Sequence, residues 1–212
     1  KQKRYYEAIH VRAMDMEALV DSLSVFSRLE NRHHRYQLEL VDMKEYLEQL
    51  LEEYKEEAEQ KKITRLMEWT ARNTQVKLDL QEMHRVFINL FENSVKYRTK
   101  ERSVIKLILD ERGTDLEIRV ADDGPGVPEA DLEHIFNSFY RGDASRTKPG
   151  SGSGLGLAIV KQIVEGHGGK ICAYNDHGLV IVITLPLVRE RLGGSRENGK
   201  GETGENEENT GG

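Results

Sequence analysis

"NLFENSVKY", residues 89–97, sets two asparagines four positions apart and a lysine three positions further on, inside an apolar helical pattern. Asparagine is a weak helix former, because its side chain competes for backbone hydrogen bonds. Two of them on one helical face therefore need a reason. Taking roughly 100° per residue with Asn89 as zero, Asn93 falls at about 40°, Lys96 at about −20° and Arg85 at about −40°. Met83, Phe87, Leu90 and Ser94 fall between roughly 100° and 160°. The helix predicted over 81–97 thus carries one apolar stripe for a core and a second stripe of amides and cations. Amide oxygens suit a hard cation such as Mg²⁺, and lysine or arginine suits its phosphates. Capping or bridging of nearby backbone would use the same asparagines, so this helix alone leaves both readings open.

Three further stretches bear on the choice. "ADDGPGVPE" (121–129) directly follows a predicted strand. Gly124 and Gly126 allow a tight turn with room for a flat ligand. Asp122, just before them, can accept a hydrogen bond from an amino group such as that of adenine. "KPGSGSGLGLAIV" (148–160) places Gly150, Gly152, Gly154 and Gly156 before an apolar helical run, so helix N-terminal amides can face an anion. It is no Walker loop, since no lysine followed by Ser or Thr comes after the glycines, and no βαβ unit supports a dinucleotide fingerprint. Between these lies "HIFNSFYRGDASRTK" (134–148). There Phe136 and Phe139 read as anchors of a mobile segment, and Arg141, Arg146 and Lys148 give it positive charge. A basic loop hinged by glycines reads as a lid over phosphates.

The bulk properties set limits. The chain has 212 residues, 37% hydrophobic and 32% charged, with a net charge of −6, as expected of one large soluble domain with appendages. The stretch from Gly193 to Gly212 holds two basic and five acidic residues, a net −3 and so half of that charge. The remainder is only mildly acidic, which gives no footing for non-specific nucleic-acid binding. A single cysteine, Cys172, excludes an internal disulfide and a multi-cysteine metal site; in the strand-like "GKICAYN" it reads as a small buried thiol. The longest apolar run, "LVIVITLPLV" (179–188), is too short to span a bilayer and is interrupted by Thr184 and Pro186.

Along the chain, residues 4–30 read as a long helix. Ile9, Met16 and Leu23 recur every seven residues, with Leu19 and Phe26 on the alternate seam, the spacing of a helical bundle. Next come a strand at 36–41, a helix of about twenty residues from Asp42, strands near 63–69 and 74–80, and the asparagine helix. A hairpin is predicted over 103–110 and 115–122, with Leu116, Ile118 and Val120 on one face and Glu117 and Arg119 on the other. A helix follows the glycine-rich stretch, then strands 169–175 and 178–185 meet at "NDHG". The predicted fold class is an α/β two-layer sandwich, a mixed sheet covered by helices on one face, preceded by a long bundle-type helix.

In order and spacing these pieces resemble the ATP-binding catalytic domain of sensor histidine kinases, within the superfamily shared with gyrase, Hsp90 and MutL. "NLFENSVKY" resembles the asparagine box, "DDGPG" the first glycine box, "FNSFYR" the phenylalanine box and "GSGSGLGLAIVKQIVEGHGG" the second glycine box with its helix. Residues 36–187 are covered. The resemblance implies a Bergerat-type fold with ATP and Mg²⁺ as cofactors. It makes Asn93 the principal metal ligand, assisted by Asn89; Lys96 a phosphate contact; Tyr97 a neighbour of the nucleotide; and Asp122 the adenine selector. Gly124 and Gly126 would shape the base pocket, Arg141 would approach the γ-phosphate, and Ser153, Gly154, Leu155 and Gly156 would cradle the phosphates.

The hydrolytic relatives generally carry a glutamate four residues before the metal-binding asparagine, to orient water. Here that place holds Asn89, and an amide cannot take a proton from water. The resemblance therefore implies a site that presents ATP to an acceptor. "RAMDMEALVDSLSVFSRLEN" (12–31) is similar to the second helix of the family's dimerisation and phosphoacceptor hairpin. None of the seven histidines has the acceptor setting, an acidic residue following and a proline a few positions on. The expected organisation is therefore residues 1–33 as the second hairpin helix, 34–190 as the catalytic domain and 191–212 as a disordered tail. The chain reads as the catalytic portion of a kinase, with the acceptor histidine elsewhere, cytoplasmic, and with any membrane attachment upstream. Its implied partners are a response-regulator receiver domain and a second copy through the complete hairpin. The alternatives are a serine kinase of the anti-sigma type, against which the bundle-like helix and long lid speak, and a non-catalytic nucleotide-sensing module.

Overall fold

A computed structural model describes residues 2–31, 34–142 and 153–188. Gly150, Gly152, Arg146 and Lys148, and the proposed tail 191–212, lie outside the described residues. Helix α1 (Gln2–Glu30) is followed by strand β1 (Glu39–Asp42), helices α2 (Met43–Glu53) and α3 (Lys55–Gln60), and strands β2 (Ile63–Trp69) and β3 (Gln75–Leu78). Helix α4 (Leu80–Tyr97) precedes the hairpin β4 (Ser103–Arg112) and β5 (Asp115–Asp122). A 3-10 turn (Glu129–Asp131), helix α5 (Gly156–Gly166) and the hairpin β6 (Lys170–Asn175) and β7 (Leu179–Pro186) complete the described chain. No helix among the described residues is long and apolar enough to cross a membrane.

The sheet has five strands in the order β2-β4-β5-β7-β6. β2 runs parallel to β4, and the other neighbours are antiparallel. Alternation along the strands sorts the two faces. Ile105, Leu107, Leu109, Leu116, Ile118, Ile183 and Leu185 are buried and share one core with Met83, Val86, Phe87, Leu90 and Phe91 of α4 and Ile159, Val160, Ile163 and Val164 of α5. The opposite face carries ion pairs: Lys106 with Glu68 at 2.8 Å, and Arg119 with Asp110 and Glu117. The predicted two-layer α/β sandwich is the observed fold.

Local departures have local causes. β1 and β3 form a separate antiparallel ribbon rather than joining the main sheet. The helix expected from Asp42 does start there, with the Asp42 carboxylate accepting from the Lys44 and Glu45 amides, but it breaks at Tyr54, where the backbone reaches ψ near 0°. Tyr54 itself is buried against Phe91, ring centres 5.2 Å apart. Cys172 is exposed, against expectation. It lies on the edge strand β6, on the sheet face that no helix covers, so the small apolar side chain is not a core residue.

The seam of α1 stands largely open: Ile9, Met16, Leu19 and Leu23 are exposed, whereas Phe26 and Leu29 are buried in the core beneath the sheet's helices. Arg28 continues that attachment, donating to the Glu82 carboxylate of α4 at 2.6 Å. After α1, Tyr36 lies between His34 and His167, ring centres 4.6 and 4.4 Å away. Its ring occupies the space where a side chain on Gly166 would be. The chain between α1 and β1 is thus fastened to the C-terminal end of α5.

Candidate nucleotide-binding site

Helix α4 is started by Asp79, whose carboxylate accepts from the Gln81 and Glu82 amides, a cap worth about 1 kcal/mol. Capping fixes which residues face outward. Met83, Val86, Phe87, Leu90 and Phe91 go into the core, and Asn89 and Asn93 remain half-buried on the adjoining face. Asn89 donates through Nδ2 to the Arg85 carbonyl at 2.9 Å. That bond turns its Oδ1 towards α5, where a Cβ on Gly156 would come within 2.8 Å of it. The asparagine helix and the end of the second glycine stretch are therefore in contact. The Asn93 side chain makes no hydrogen bond among the described residues, so its carboxamide is available to a ligand.

Lys96 and Tyr97 close the same helix, with Lys96 Nζ 5.1 Å from the Tyr97 ring centre and Tyr97 exposed. Lys96 is exposed as a residue, yet burial of its amine and the nearby Arg141 guanidinium hold its pKa below the ordinary lysine value, against the pull of Glu92. Two cations within influence of each other are poised for an anion. Arg141, at the start of the basic segment, thus lies near enough for its charge to act on Lys96.

Asp122 ends β5 and is heavily engaged. Its Oδ1 accepts from the Gly124 amide at 2.9 Å and the Leu179 amide at 3.1 Å, and its Oδ2 faces Ser94 Oγ at 3.3 Å. Those bonds fix the carboxylate's orientation at the floor of the loop 122–127. Gly126 has φ +71°, and a Cβ there would meet Asn175 Oδ1 at 2.5 Å. The Asn175 carboxamide accepts from the Val127 amide at 3.0 Å and donates to the Val127 carbonyl at 2.7 Å.

The phenylalanine segment is anchored differently from the expectation. Phe136 is buried, whereas the Phe139 ring is 59% exposed. Phe139 is held by its backbone: it has φ +62°, and its amide donates to the Gly154 carbonyl at 2.9 Å. Gly154, at φ +72°, leaves no space for a Cβ beside the Phe139 and Tyr140 backbone. Ser153 Oγ accepts from the Leu155 amide at 3.2 Å, and Leu155 is buried beneath the start of α5. No side chain caps the first turn of α5 among the described residues, which leaves its amides for an anion.

Close approaches join several of the residues read from the sequence: Gly156 to Asn89, Gly124 to the Tyr97 carbonyl and Gly154 to the Phe139–Tyr140 backbone that precedes Arg141. Ser94 was assigned to the core stripe, yet it is half-buried and faces Asp122; its angular position is that of the apolar stripe, and nothing in the sequence shows the β5 carboxylate opposite. Asn175 and Leu179 were missed because "NDHG" reads only as a turn. The donor set fits a magnesium ion brought in with phosphates: two amide oxygens and adjacent cations, with no group of three His, Cys, Asp or Glu that would hold a resident metal among the described residues.

Residues 78–189 match the family of histidine kinase-, DNA gyrase B- and HSP90-like ATPases. The chain belongs to that family. The sensor histidine kinase WalK of Bacillus subtilis (strain 168) is 30% identical over 179 residues, 83% of this chain and 29% of WalK. The chain thus spans less than half of the length of such curated relatives. The nucleotide-free catalytic domain of histidine kinase ThkA superposes with a TM-score of 0.61 at 28% identity, over 71% of this chain and 95% of that one. Full-length ShkA, solved in complex with AMPPNP, gives 0.72 at 25% identity over 90% of this chain and 40% of its own. The chain carries a histidine-kinase-type ATP-binding catalytic domain, and an anti-sigma-type serine kinase is not favoured by these relatives.

Proposed function

We propose that this catalytic domain holds ATP with Mg²⁺ and presents the γ-phosphoryl group to a histidine supplied by a separate helix, from which a response-regulator aspartate takes it. The observation that carries the reading is the contact between Asn89 and Gly156, which joins an amide-bearing helix to the start of a glycine-flanked one. Asn93, with its uncommitted amide, is the main metal ligand, and Asn89 assists it. Lys96, Arg141 and the stretch Ser153, Gly154, Leu155 and Gly156 take the phosphates. Asp122 receives the adenine amino group, Gly124 and Gly126 leave room for the ring, and Tyr97 packs beside the nucleotide. Bound magnesium would neutralise phosphate charge, which is most of what phosphoryl transfer asks of a protein.

An amide at position 89 favours transfer over hydrolysis, because it cannot deprotonate water. Residues 1–33 are read as one helix of a dimerisation hairpin, 34–190 as the catalytic unit and 191–212 as a tail. The exposed seam of α1 supports pairing with hairpin helices of the same kind, and the work is done on the cytoplasmic side, where ATP is. The test is calorimetric titration with ATP in magnesium or in EDTA, followed by transfer of labelled phosphate to an added histidine-bearing hairpin. Asn93→Ala should remove the magnesium-dependent part of binding. Acid-labile label on the hairpin supports a histidine kinase; acid-stable label on serine, or unaltered affinity in the variant, overturns the reading.

A further inference from the structure

The loop Asp122–Val127 is suspended from the β6–β7 hairpin at two points. At one end the Leu179 amide donates to Asp122 Oδ1, and Gly178 lies so close to the Asp122 carbonyl that no side chain could be placed there. At the other end the Asn175 carboxamide pairs with both backbone groups of Val127. An amide does this without a change of protonation: it accepts from the N–H and donates to the C=O of one residue, as a neighbouring strand would. Gly126, with its left-handed φ of +71°, is what lets Asn175 come in this close.

We infer that Asn175 is a positioning residue for the base side of the nucleotide pocket. It fixes the distance of the Gly124–Gly126 turn from Asp122, and with it the discrimination between adenine and guanine. The inference rests on the nucleotide reading above. Asn175 is itself exposed, so its two bonds compete with water and add little to global stability; their effect is on where the loop stands.

The experiment measures ATP·Mg and GTP·Mg affinities of the whole chain by calorimetry, with nucleotide-free melting recorded in parallel. Asn175→Ala is expected to weaken ATP about tenfold, the loss of two neutral hydrogen bonds, and to shrink the ATP-to-GTP preference while leaving the nucleotide-free melting temperature close to wild type. Asn175→Asp keeps the acceptor but sets a carboxylate against the Val127 carbonyl. It is expected to lose at least as much at neutral pH and to recover part of it as the pH is lowered and the acid can donate again. If Asn175→Ala instead melts early, Asn175→Asp and its pH profile decide. Wild-type affinity and preference in both variants overturn the role of Asn175. Absence of ATP binding by the unaltered chain, or its persistence in Asp122→Ala, overturns the nucleotide reading itself and is told apart by that control.

Discussion

Gly156 and Asn89 touch: a methyl group added at Gly156 would stand 2.8 Å from Asn89 Oδ1. The first residue of α5 is therefore glycine for the sake of a side chain on α4. Helix formation alone would favour alanine there by roughly 0.8–1 kcal/mol. Gly156→Ala should leave the nucleotide-free protein as stable as wild type, or up to about 1 kcal/mol more so. It should displace the Asn89 carboxamide and weaken ATP·Mg binding about tenfold, the equivalent of roughly 1.4 kcal/mol. Thermal melts with and without nucleotide read both effects. A variant that binds as wild type would show that Asn89 is not part of the metal and phosphate site.

Gly166 makes room for an aromatic ring in the same way. It closes α5, and the Tyr36 ring fills the place of its missing side chain, braced by His34 and His167. Gly166→Ala should destabilise the fold by about 1–3 kcal/mol, the usual cost of overpacking, although alanine is the better helix residue. Adding Tyr36→Ala should return part of that loss. Urea denaturation of the two single variants and the double one tests the pairing; additive losses would disprove it.

The elements themselves were legible because their signals are periodic and local. Asp42 marks the start of the helix that it precedes, the alternation in "DLEIRV" assigns the two faces of β5, and the apolar spacing of α4 and α5 gives their buried sides. Tertiary facts were not. Nothing local shows that β1 and β3 would pair with each other, that the strand holding Cys172 would lie at an edge, or that Tyr54 would turn inwards and break a helix. The site followed the same division. The asparagines and glycines stand out because their residue types conflict with their local structure. Ser94 and Asn175 fit their local structure well enough to pass unnoticed, and only tertiary packing sets Ser94 against Asp122 and Asn175 against Val127.

Arg28 and Glu82 tie α1 to α4 at 2.6 Å, with the Glu82 side chain 6% exposed and that of Arg28 51%. Arg85 Nε lies 3.4 Å from the other carboxylate oxygen. Removing Arg28 leaves the buried carboxylate with that single, poorly aligned neighbour. Arg28→Ala should cost about 1–2 kcal/mol, less than for a fully buried pair because half of Arg28 is already in water. In the Glu82→Gln background the same change should cost much less. A double-mutant cycle in urea measures the coupling, and a coupling near zero would mean that α1 is held by apolar packing of Val25, Phe26 and Leu29.

His167 gives the fold a dependence on acid. The ring donates through Nδ1 to the Ile163 carbonyl at 2.6 Å and accepts at Nε2 from the Asp79 amide at 2.9 Å, an arrangement open only to the neutral imidazole. Burial pushes its pKa below the ordinary 6.5, outweighing the Ile163 bond and the Asp79 and Glu82 carboxylates that favour the charged form; His34 adds to the lowering. The unfolded chain therefore binds the proton more readily than the folded one, so stability rises with pH through this window. The contribution is whole above the unfolded value of about 6.5 and is lost as the pH falls from there through the folded value. Protonation would also set an N–H against the Asp79 amide at the start of α4. Urea midpoints measured from pH 7.5 downwards should fall more steeply for the wild type than for His167→Gln, whose side chain does not titrate. Parallel pH profiles for the two proteins would place the acid sensitivity elsewhere in the chain.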